Sequence, residues 1–265
     1  MKPFIEDKDL ARLLILTPYR PSISDPTIAL LVSLARCGAS GLKLPGMSDV
    51  ALARNLLAQA ACEFIGKSNK DIEVVMWIDA DMFVDRDILF RQLAHLAELE
   101  NDIRDGMSAL SGMYSRRREA NVLTASRVEN EVCVVAADGT VLVPAHTGLG
   151  CFMQSAASFV QNCQTAEQLT NERDQTFPAV CKNGPRTTMR NGQAVRCWGQ
   201  EDWWYCERLW MTGVSVYVDT SAPWGHLGES LTLPVGIPAG LLLESESGLL
   251  SSGERHEGGS SERTP

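Results

Sequence analysis

Residues 73–82 read Glu-Val-Val-Met-Trp-Ile-Asp-Ala-Asp-Met, and they are the most informative segment of this sequence. Its apolar run is typical of a strand buried on both faces of a parallel sheet. Two carboxylates, Asp79 and Asp81, follow the run one residue apart. Open α/β sheets bind ligands at the carboxyl ends of their strands, and alternate residues of an extended chain point the same way. The stretch therefore predicts a strand that delivers two carboxylates to one site.

The sequence around this strand alternates strand and helix patterns. Ser24-Asp25-Pro26 supplies an N-cap and a proline at the start of one predicted helix, and Ser48 is expected to cap the next. Such an order predicts an α/β fold in which a parallel sheet carries helices on both faces. The predicted elements of this half are strands at 13–16, 41–44 and 73–78 and helices at 27–36, 48–66 and 86–99.

The second half of the chain has a more antiparallel pattern, which makes the whole sheet mixed. Asp138-Gly139 is a strong hairpin signal between two valine-rich runs. The polar stretch 161–193 is predicted to be a long mobile segment, and a lid is one role that such a segment could have. The tail at 244–265 is predicted to be disordered, because it has little to bury. The other predicted elements are strands at 109–114, 122–128, 132–136, 140–143, 148–153 and 214–218 and a helix at 201–211.

Composition narrows the class of protein. The chain has 265 residues, of which 45% are hydrophobic, and a net charge of -9. This balance excludes a broad basic surface for nucleic acid, although a local basic patch is compatible with it. No apolar run reaches the roughly 18–20 residues of a transmembrane helix, and the N-terminus lacks the pattern of a secretory signal. The eight cysteines contain no Cys-x-x-Cys pair, which favours reduced thiols and a cytoplasmic location.

The two carboxylates after the central strand have two interpretations. Paired carboxylates form a hard-oxygen site that suits Mg²⁺ or Mn²⁺, and such a cation can hold a diphosphate. Alternatively, Asp79 caps the following helix and Asp81 is solvated. The position of the pair directly after a buried strand favours the metal site.

Six segments, taken in order, resemble the glycosyltransferases of the GT-A fold, closest to the family-2 type and to its retaining mannosyltransferase relatives. The resemblance covers about residues 11–230 and implies a single catalytic domain over 1–240, with a donor half at 11–115 and an acceptor half at 116–230. The segments are LILTPYRP (14–21), ARN (53–55), WIDADM (77–82), HTGLGCFM (146–153), WGQEDWW (198–204) and PWGH (223–226).

The resemblance implies a nucleotide-sugar donor, most simply a UDP- or GDP-sugar, held through a divalent cation. Thr17, Tyr19 and Arg20 would line the nucleoside pocket, where Tyr19 would stack on the base or Arg20 would reach phosphate. The alternative for these residues is a turn fixed by the flanking prolines. Arg54 would contact the diphosphate or the sugar, or would pair with a structural carboxylate.

The resemblance also implies a set of metal ligands. Asp81 would ligate the cation, Asp79 would contact the ribose or the cation, and His226 would add a nitrogen ligand from a late segment. An imidazole beside carboxylates suits Mn²⁺ better than Mg²⁺. The alternative for His226 is an ordinary loop histidine.

The acceptor half carries an acidic pair at a predicted helix start. In inverting enzymes of the resembled class, the residue at Asp202 would deprotonate the acceptor hydroxyl, and Glu201 would support acceptor binding. The helix dipole alone also accounts for acids at this position, and a retaining enzyme would not use the base. Trp198, Trp203 and Trp204 would border the acceptor cleft, with one of the two adjacent tryptophans facing inward.

The acceptor remains open, as a glycan, a small molecule or a modified DNA base. A phage-type DNA glycosyltransferase that acts on a hydroxylated base is an alternative, with the basic run 116–118 against the backbone, although the net charge opposes it. A nucleotidyltransferase is less favoured, because 17–24 contains no glycine. A non-catalytic nucleotide- or carbohydrate-binding module is the other alternative.

Overall fold

The computed structural model describes residues 1–19, 22–45, 47–103, 107–116, 119–128, 131–190, 193–227 and 231–232. The predicted tail at 244–265 and Arg20 lie outside the described residues. The five α-helices of the described chain are α1 (Asp25–Arg36), α2 (Val50–Lys67), α3 (Arg86–Glu98), α4 (Ala156–Thr165) and α5 (Glu201–Met211). The first nine strands are β1 (Leu13–Tyr19), β2 (Ser40–Pro45), β3 (Val74–Ile78), β4 (Met82–Phe83), β5 (Ser108–Met113), β6 (Ser115–Arg116), β7 (Glu119–Leu123), β8 (Ala125–Arg127) and β9 (Val134–Val135). The later strands are β10 (Val141–Thr147), β11 (Cys151–Ser155), β12 (Gln168–Thr170), β13 (Thr176–Pro178), β14 (Gly184–Arg190), β15 (Gln193–Gly199), β16 (Ser215–Pro223), β17 (Gly225–Leu227) and β18 (Leu231–Thr232).

One mixed sheet organises the molecule, with the strand order β2-β1-β3-β11-β5-β16-β10-β8. β1 pairs in parallel with β2 and β3, whereas β11 runs antiparallel between β3 and β5. β16 runs parallel to β5, and β10 returns antiparallel beside it. The first half is therefore parallel and the second half mixed, as the sequence predicts.

Helices cover both faces of the sheet, because successive strand residues point to opposite sides. Leu13 and Ile15 of β1 belong to a core with the apolar faces of α1 and α3. Leu14 and Leu16 belong to a second core with α2, α4 and α5, in which Trp77 is fully buried. The predicted α/β class, a mixed sheet flanked by helices, is confirmed.

The structure confirms the predicted N-cap residue of α1 but not that of α2. Ser24 caps α1 as predicted, and its hydroxyl accepts a hydrogen bond from the Thr27 N–H. The cap of α2 is Asp49, whose carboxylate accepts from the Leu52 N–H, so the prediction of Ser48 is wrong by one residue. Both residue types are good caps, and the pattern alone did not separate two neighbours.

The polar stretch 161–193 is not one long irregular segment. It begins inside α4 and continues as two hairpins, β12–β13 and β14–β15. Asn55 of α2 fixes the backbone between the hairpins: its amide donates to the Cys181 carbonyl at 2.9 Å and accepts from the Cys181 N–H at 2.8 Å. Both groups are buried, so the predicted mobile lid is corrected to two hairpins anchored on a helix.

No helix in the described part of the chain is long and apolar enough to cross a membrane.

Candidate active site at the carboxyl ends of the central strands

The Asp79–Met82 turn follows β3 and is held by hydrogen bonds from four directions. The Asp79 N–H donates to the Gly150 carbonyl, and the carbonyls of Ala80 and Asp81 accept from the N–H groups of Ser24 and Leu227. The Thr27 hydroxyl donates to the Met82 carbonyl at 2.7 Å. The segment is a turn rather than the extended chain that the sequence pattern suggested. It presents its two carboxylates to different partners.

Asp79 pairs with Arg54 of α2. The Arg54 Nη2 donates to both carboxylate oxygens, at 2.9 and 3.1 Å. The guanidinium is buried and lies 5.5 Å from the centre of the Trp77 ring. Of the two roles expected for Arg54, the structure therefore contains the carboxylate pair. The capping alternative for Asp79 is wrong, because Asp85 caps α3.

Arg54 is a permanent buried cation at this site. Burial lowers its pKa, but the nearby carboxylates of Asp79, Glu201 and Asp202 outweigh burial and raise it above the usual value. The Nε and Nη1 groups of Arg54 are buried and have no hydrogen-bond partner among the described residues. A buried, unused guanidinium edge is a strong donor for an additional anionic group.

Asp81 meets His226, although 145 residues separate them in sequence. The antiparallel pairing of β4 with β17 places His226 opposite Met82, the residue after Asp81. The His226 Nε2 and the Asp81 Oδ2 lie 3.4 Å apart, and the side chains are only 14% and 17% exposed. The alternatives of a solvated Asp81 and an ordinary loop histidine do not describe these positions.

The other ring nitrogen of His226 fixes the tautomer. Nδ1 lies 2.9 Å from the carbonyl oxygen of Ser115, which can only accept, so Nδ1 carries the proton. In the neutral ring the Nε2 lone pair is then directed towards the Asp81 side. A backbone carbonyl behind a histidine is the usual outer contact of a metal-bound imidazole.

This pair fits a divalent cation through the chemistry of its donors, a carboxylate oxygen and an imidazole nitrogen. Within the described ranges, no group of three His, Cys, Asp or Glu side chains is arranged to hold a metal ion. Two protein ligands are nevertheless a common number where a substrate diphosphate supplies the remaining oxygens.

Asp202 lies at the start of α5, where its Oδ1 accepts from the Trp203 N–H at 2.7 Å. Burial and the neighbouring charge of Glu201 raise its pKa to about 6, with a smaller contribution from Asp79, while the Trp203 N–H and Arg54 oppose the shift. The carboxyl therefore titrates near neutrality, as a general base needs to do.

Tyr114, which directly follows β5, was missed by the sequence analysis. Its hydroxyl accepts from the Gly150 N–H at 3.1 Å, and its ring packs edge-on against His226 at 5.7 Å. A Cβ atom on Gly148 would lie 2.0 Å from the Tyr114 hydroxyl oxygen and 3.4 Å from the Asp202 Oδ2. Gly148 and Gly150 of the 146–153 motif thus leave space for the Tyr114 ring, which also contacts His226. The two glycines are the sequence feature from which such a close contact could have been predicted.

We expect Gly148→Ala to destabilise the fold by about 1–3 kcal/mol, since the added methyl overpacks a buried contact. Tyr114→Phe removes the hydroxyl oxygen and should recover part of this loss in the double variant. Gly41→Ala is the control, because a Cβ at Gly41 would have no atom within 4 Å. Urea unfolding gives the free energy of unfolding of the unaltered protein, the three single variants and the double variant. Equal stability of Gly148→Ala and Gly41→Ala would contradict the close contact between Gly148 and Tyr114.

A cleft of about 370 Å³ opens beside the Asp79–Met82 turn. Of the predicted donor-site residues, Tyr19, Asp79 and Asp81 line it. Thr17 does not line the cleft: it is buried, and its hydroxyl has no partner among the described residues. A larger cleft, about 570 Å³, lies around Glu73 at the opposite end of β3 and contains none of the predicted site residues.

The aromatic residues of the acceptor half differ in exposure. Trp198 is 70% exposed, whereas Trp203 and Trp204 are both half-buried. The expectation that one of the adjacent pair faces inward is therefore wrong, because other residues of α5, such as Tyr205, form its buried face. Trp203 packs against His146 at 5.2 Å between ring centres.

Comparisons with known proteins support the fold. No protein-family model matches the chain, and no curated protein matches it. The crystal structure of A197 from STIV is similar, with a TM-score of 0.50, 14% identity and coverage of 86% of this chain and 96% of that chain. At this identity the likeness shows a shared fold alone.

Proposed function

We propose that this chain is a metal-dependent glycosyltransferase of the GT-A fold, which moves a sugar from a nucleotide-sugar donor to an acceptor hydroxyl. The observation that carries the proposal is the meeting of Asp81 with His226 at 3.4 Å, at the rim of the cleft lined by Tyr19, Asp79 and Asp81.

Asp81 and His226 would hold the cation, with Mn²⁺ favoured over Mg²⁺ by the imidazole. When bound, the cation would neutralise charge that develops on the departing nucleoside diphosphate. Arg54 contacts Asp79, two residues before Asp81, and its Nε and Nη1 groups have no partner among the described residues, so it would add a fixed positive charge. Asp79 holds Arg54 in place by its two-oxygen contact.

The donor nucleoside would occupy the cleft beside the turn. Tyr19 lines this cleft and is partly exposed, so its ring is available to stack on a base. A UDP- or GDP-sugar is the expected donor. The predicted contact of Arg20 with phosphate stays a prediction, and so does the donor-binding role of Thr17, which is buried.

Asp202 would act as the general base in an inverting reaction. Its pKa of about 6 leaves it ionised at neutral pH yet basic enough to accept a proton from a hydroxyl. Glu201 contributes to this property, since its charge disfavours ionisation of the neighbouring carboxyl. A retaining reaction would leave Asp202 a binding role.

The proposal is tested by measuring nucleoside diphosphate release from UDP-, GDP-, TDP- and CDP-sugars with Mn²⁺, Mg²⁺ or EDTA. Many transferases slowly hydrolyse their donors, so the assay needs no acceptor. We expect release from one donor, with Mn²⁺ above Mg²⁺ and none in EDTA. Release from no donor, together with no thermal stabilisation by any nucleotide and Mn²⁺, would contradict the proposal and favour a non-catalytic binding module.

A further inference from the structure

The β14–β15 hairpin is a local basic patch in an acidic protein. Residues 182–198 contain four basic residues and no acidic residue, while the whole chain has 33 acidic and 24 basic residues. Within the described chain the hairpin forms a two-stranded sheet of its own and pairs with no other strand. Because it pairs with no other described strand, both edges of this hairpin lack a strand partner there.

The solvent face of this hairpin combines a cation with an aromatic ring. Arg196 and Trp198 are two residues apart in β15, so they share one face of the strand. Both are exposed, Trp198 to 70%, whereas Val195 and Cys197 on the other face are only half-exposed. An exposed tryptophan next to an arginine matches the pattern of surfaces that stack planar rings and neutralise phosphates.

A second cation and ring lie at the root of the hairpin. The Lys182 ammonium lies 5.5 Å from the centre of the Trp204 ring of α5, and Lys182 is exposed. This second pair involves the helix that carries Asp202.

The root of the hairpin is fixed to the candidate active site. Gly184 pairs with Gly199, which precedes Glu201 by only two residues. On the other side, Cys181 is held by Asn55, the neighbour in sequence of Arg54. A chain lying along the hairpin would consequently reach the acidic pair.

We propose that the β14–β15 hairpin binds a single-stranded nucleic acid and that this strand carries the acceptor hydroxyl. The inference rests on the proposed function and names its acceptor class. A neutral glycan would use the tryptophans but would gain nothing from the exposed cations Lys182 and Arg196, whereas a strand of nucleotides offers both rings and phosphates. The whole chain has a net charge of -9, whereas residues 182–198 contain basic residues and no acidic residue, so attraction of phosphates is expected at this segment.

The test is binding of fluorescein-labelled oligo(dT), measured by anisotropy at several salt concentrations. We expect log Kd to rise linearly with log salt concentration, because phosphate contacts release counterions. Trp198→Ala should weaken binding by about 5- to 100-fold, the range typical of one lost base stack. The double variant Lys182→Gln, Arg196→Gln should weaken binding and lower the salt slope by about two.

Two control variants remove an exposed cation or an exposed apolar side chain outside the β14–β15 hairpin. Arg173→Gln removes an exposed arginine from the neighbouring β12–β13 hairpin, and Met211→Ala removes a side chain that is 84% exposed on α5. Both should bind oligo(dT) as the unaltered protein does. Circular dichroism verifies that each hairpin variant is folded.

The outcomes separate this inference from the proposed function. The inference would be overturned if the protein does not bind oligo(dT) at low salt, or if the hairpin variants bind it as well as the unaltered protein. It would also be overturned if the protein binds dextran sulfate but not oligo(dT). These outcomes would hold even if a donor sugar is hydrolysed. Binding of oligo(dT) that depends on Trp198 and Arg196, without hydrolysis of any donor, would support this surface and contradict the proposed function.

Discussion

Asp81→Ala should reduce metal-dependent nucleoside diphosphate release by about 10³-fold or more. A cation on a leaving diphosphate supplies several kcal/mol of transition-state stabilisation, and each factor of ten corresponds to about 1.4 kcal/mol. Removing Asp81 takes one of the two side chains proposed to hold that cation. His226→Ala should act in the same direction, and the activity that remains should no longer depend on whether Mn²⁺ or Mg²⁺ is added.

The matched control is Asp71→Ala, which removes a carboxylate that is 77% exposed and 3.9 Å from the Lys2 ammonium. Exposed pairs of this kind contribute little to stability, so this variant should retain full release. Thermal unfolding should be similar for both aspartate variants. Release by a folded Asp81→Ala protein within tenfold of the unaltered rate would refute the metal assignment.

Asp202→Asn should slow sugar transfer by about 10²–10⁴-fold, the usual contribution of a general base. In the unaltered protein, transfer should fall as pH drops below about 6, because protonation of Asp202 removes the base. Asp202→Asn should lose this acidic limb. The charged groups that set the limb are Glu201, Arg54 and Asp79. Glu207→Gln, on the same helix, is the control and should keep the limb.

The same substitution should raise stability near neutral pH. The pKa of Asp202 is raised from 3.8 to about 6, so the native state disfavours the ionised carboxyl and loses stability as pH rises from about 4 to about 6. Asp202→Asn removes that charge and keeps an oxygen for the Trp203 N–H, so it should gain about 1–3 kcal/mol above pH 6 and nothing below pH 4. Slow transfer by a protein that is less stable than the unaltered chain would point to misfolding instead of a lost base.

The sequence predicted the parts of this fold that local physics determines. The apolar run at 74–78 predicts a buried strand and Ser24-Asp25-Pro26 predicts a helix start, and β3 and α1 lie where they were expected. The polar stretch 161–193 was misread, because two hairpins held by one buried amide, Asn55, leave no periodic apolar signal.

The candidate site was predictable in its residue types and less so in its contacts. Asp81 and His226 were both expected at one site, and the pairing of β4 with β17 brings them together. The choice of Arg54 as partner for Asp79 depends on how α2 packs over Trp77, which no sequence spacing encodes. Tyr114 could not be predicted as a site residue either, because its position depends on a close contact with Gly148 that is formed only in the folded chain.

The proposed function requires a nucleotide-bound divalent cation between Asp81 and His226. Anomalous diffraction from crystals grown with Mn²⁺ and the nucleoside diphosphate of the preferred donor would locate this cation. We expect one manganese peak within about 2.0–2.4 Å of the Asp81 carboxylate and the His226 Nε2, with the diphosphate on its open side. A manganese peak elsewhere, or a bound nucleotide with no peak beside His226, would contradict the account.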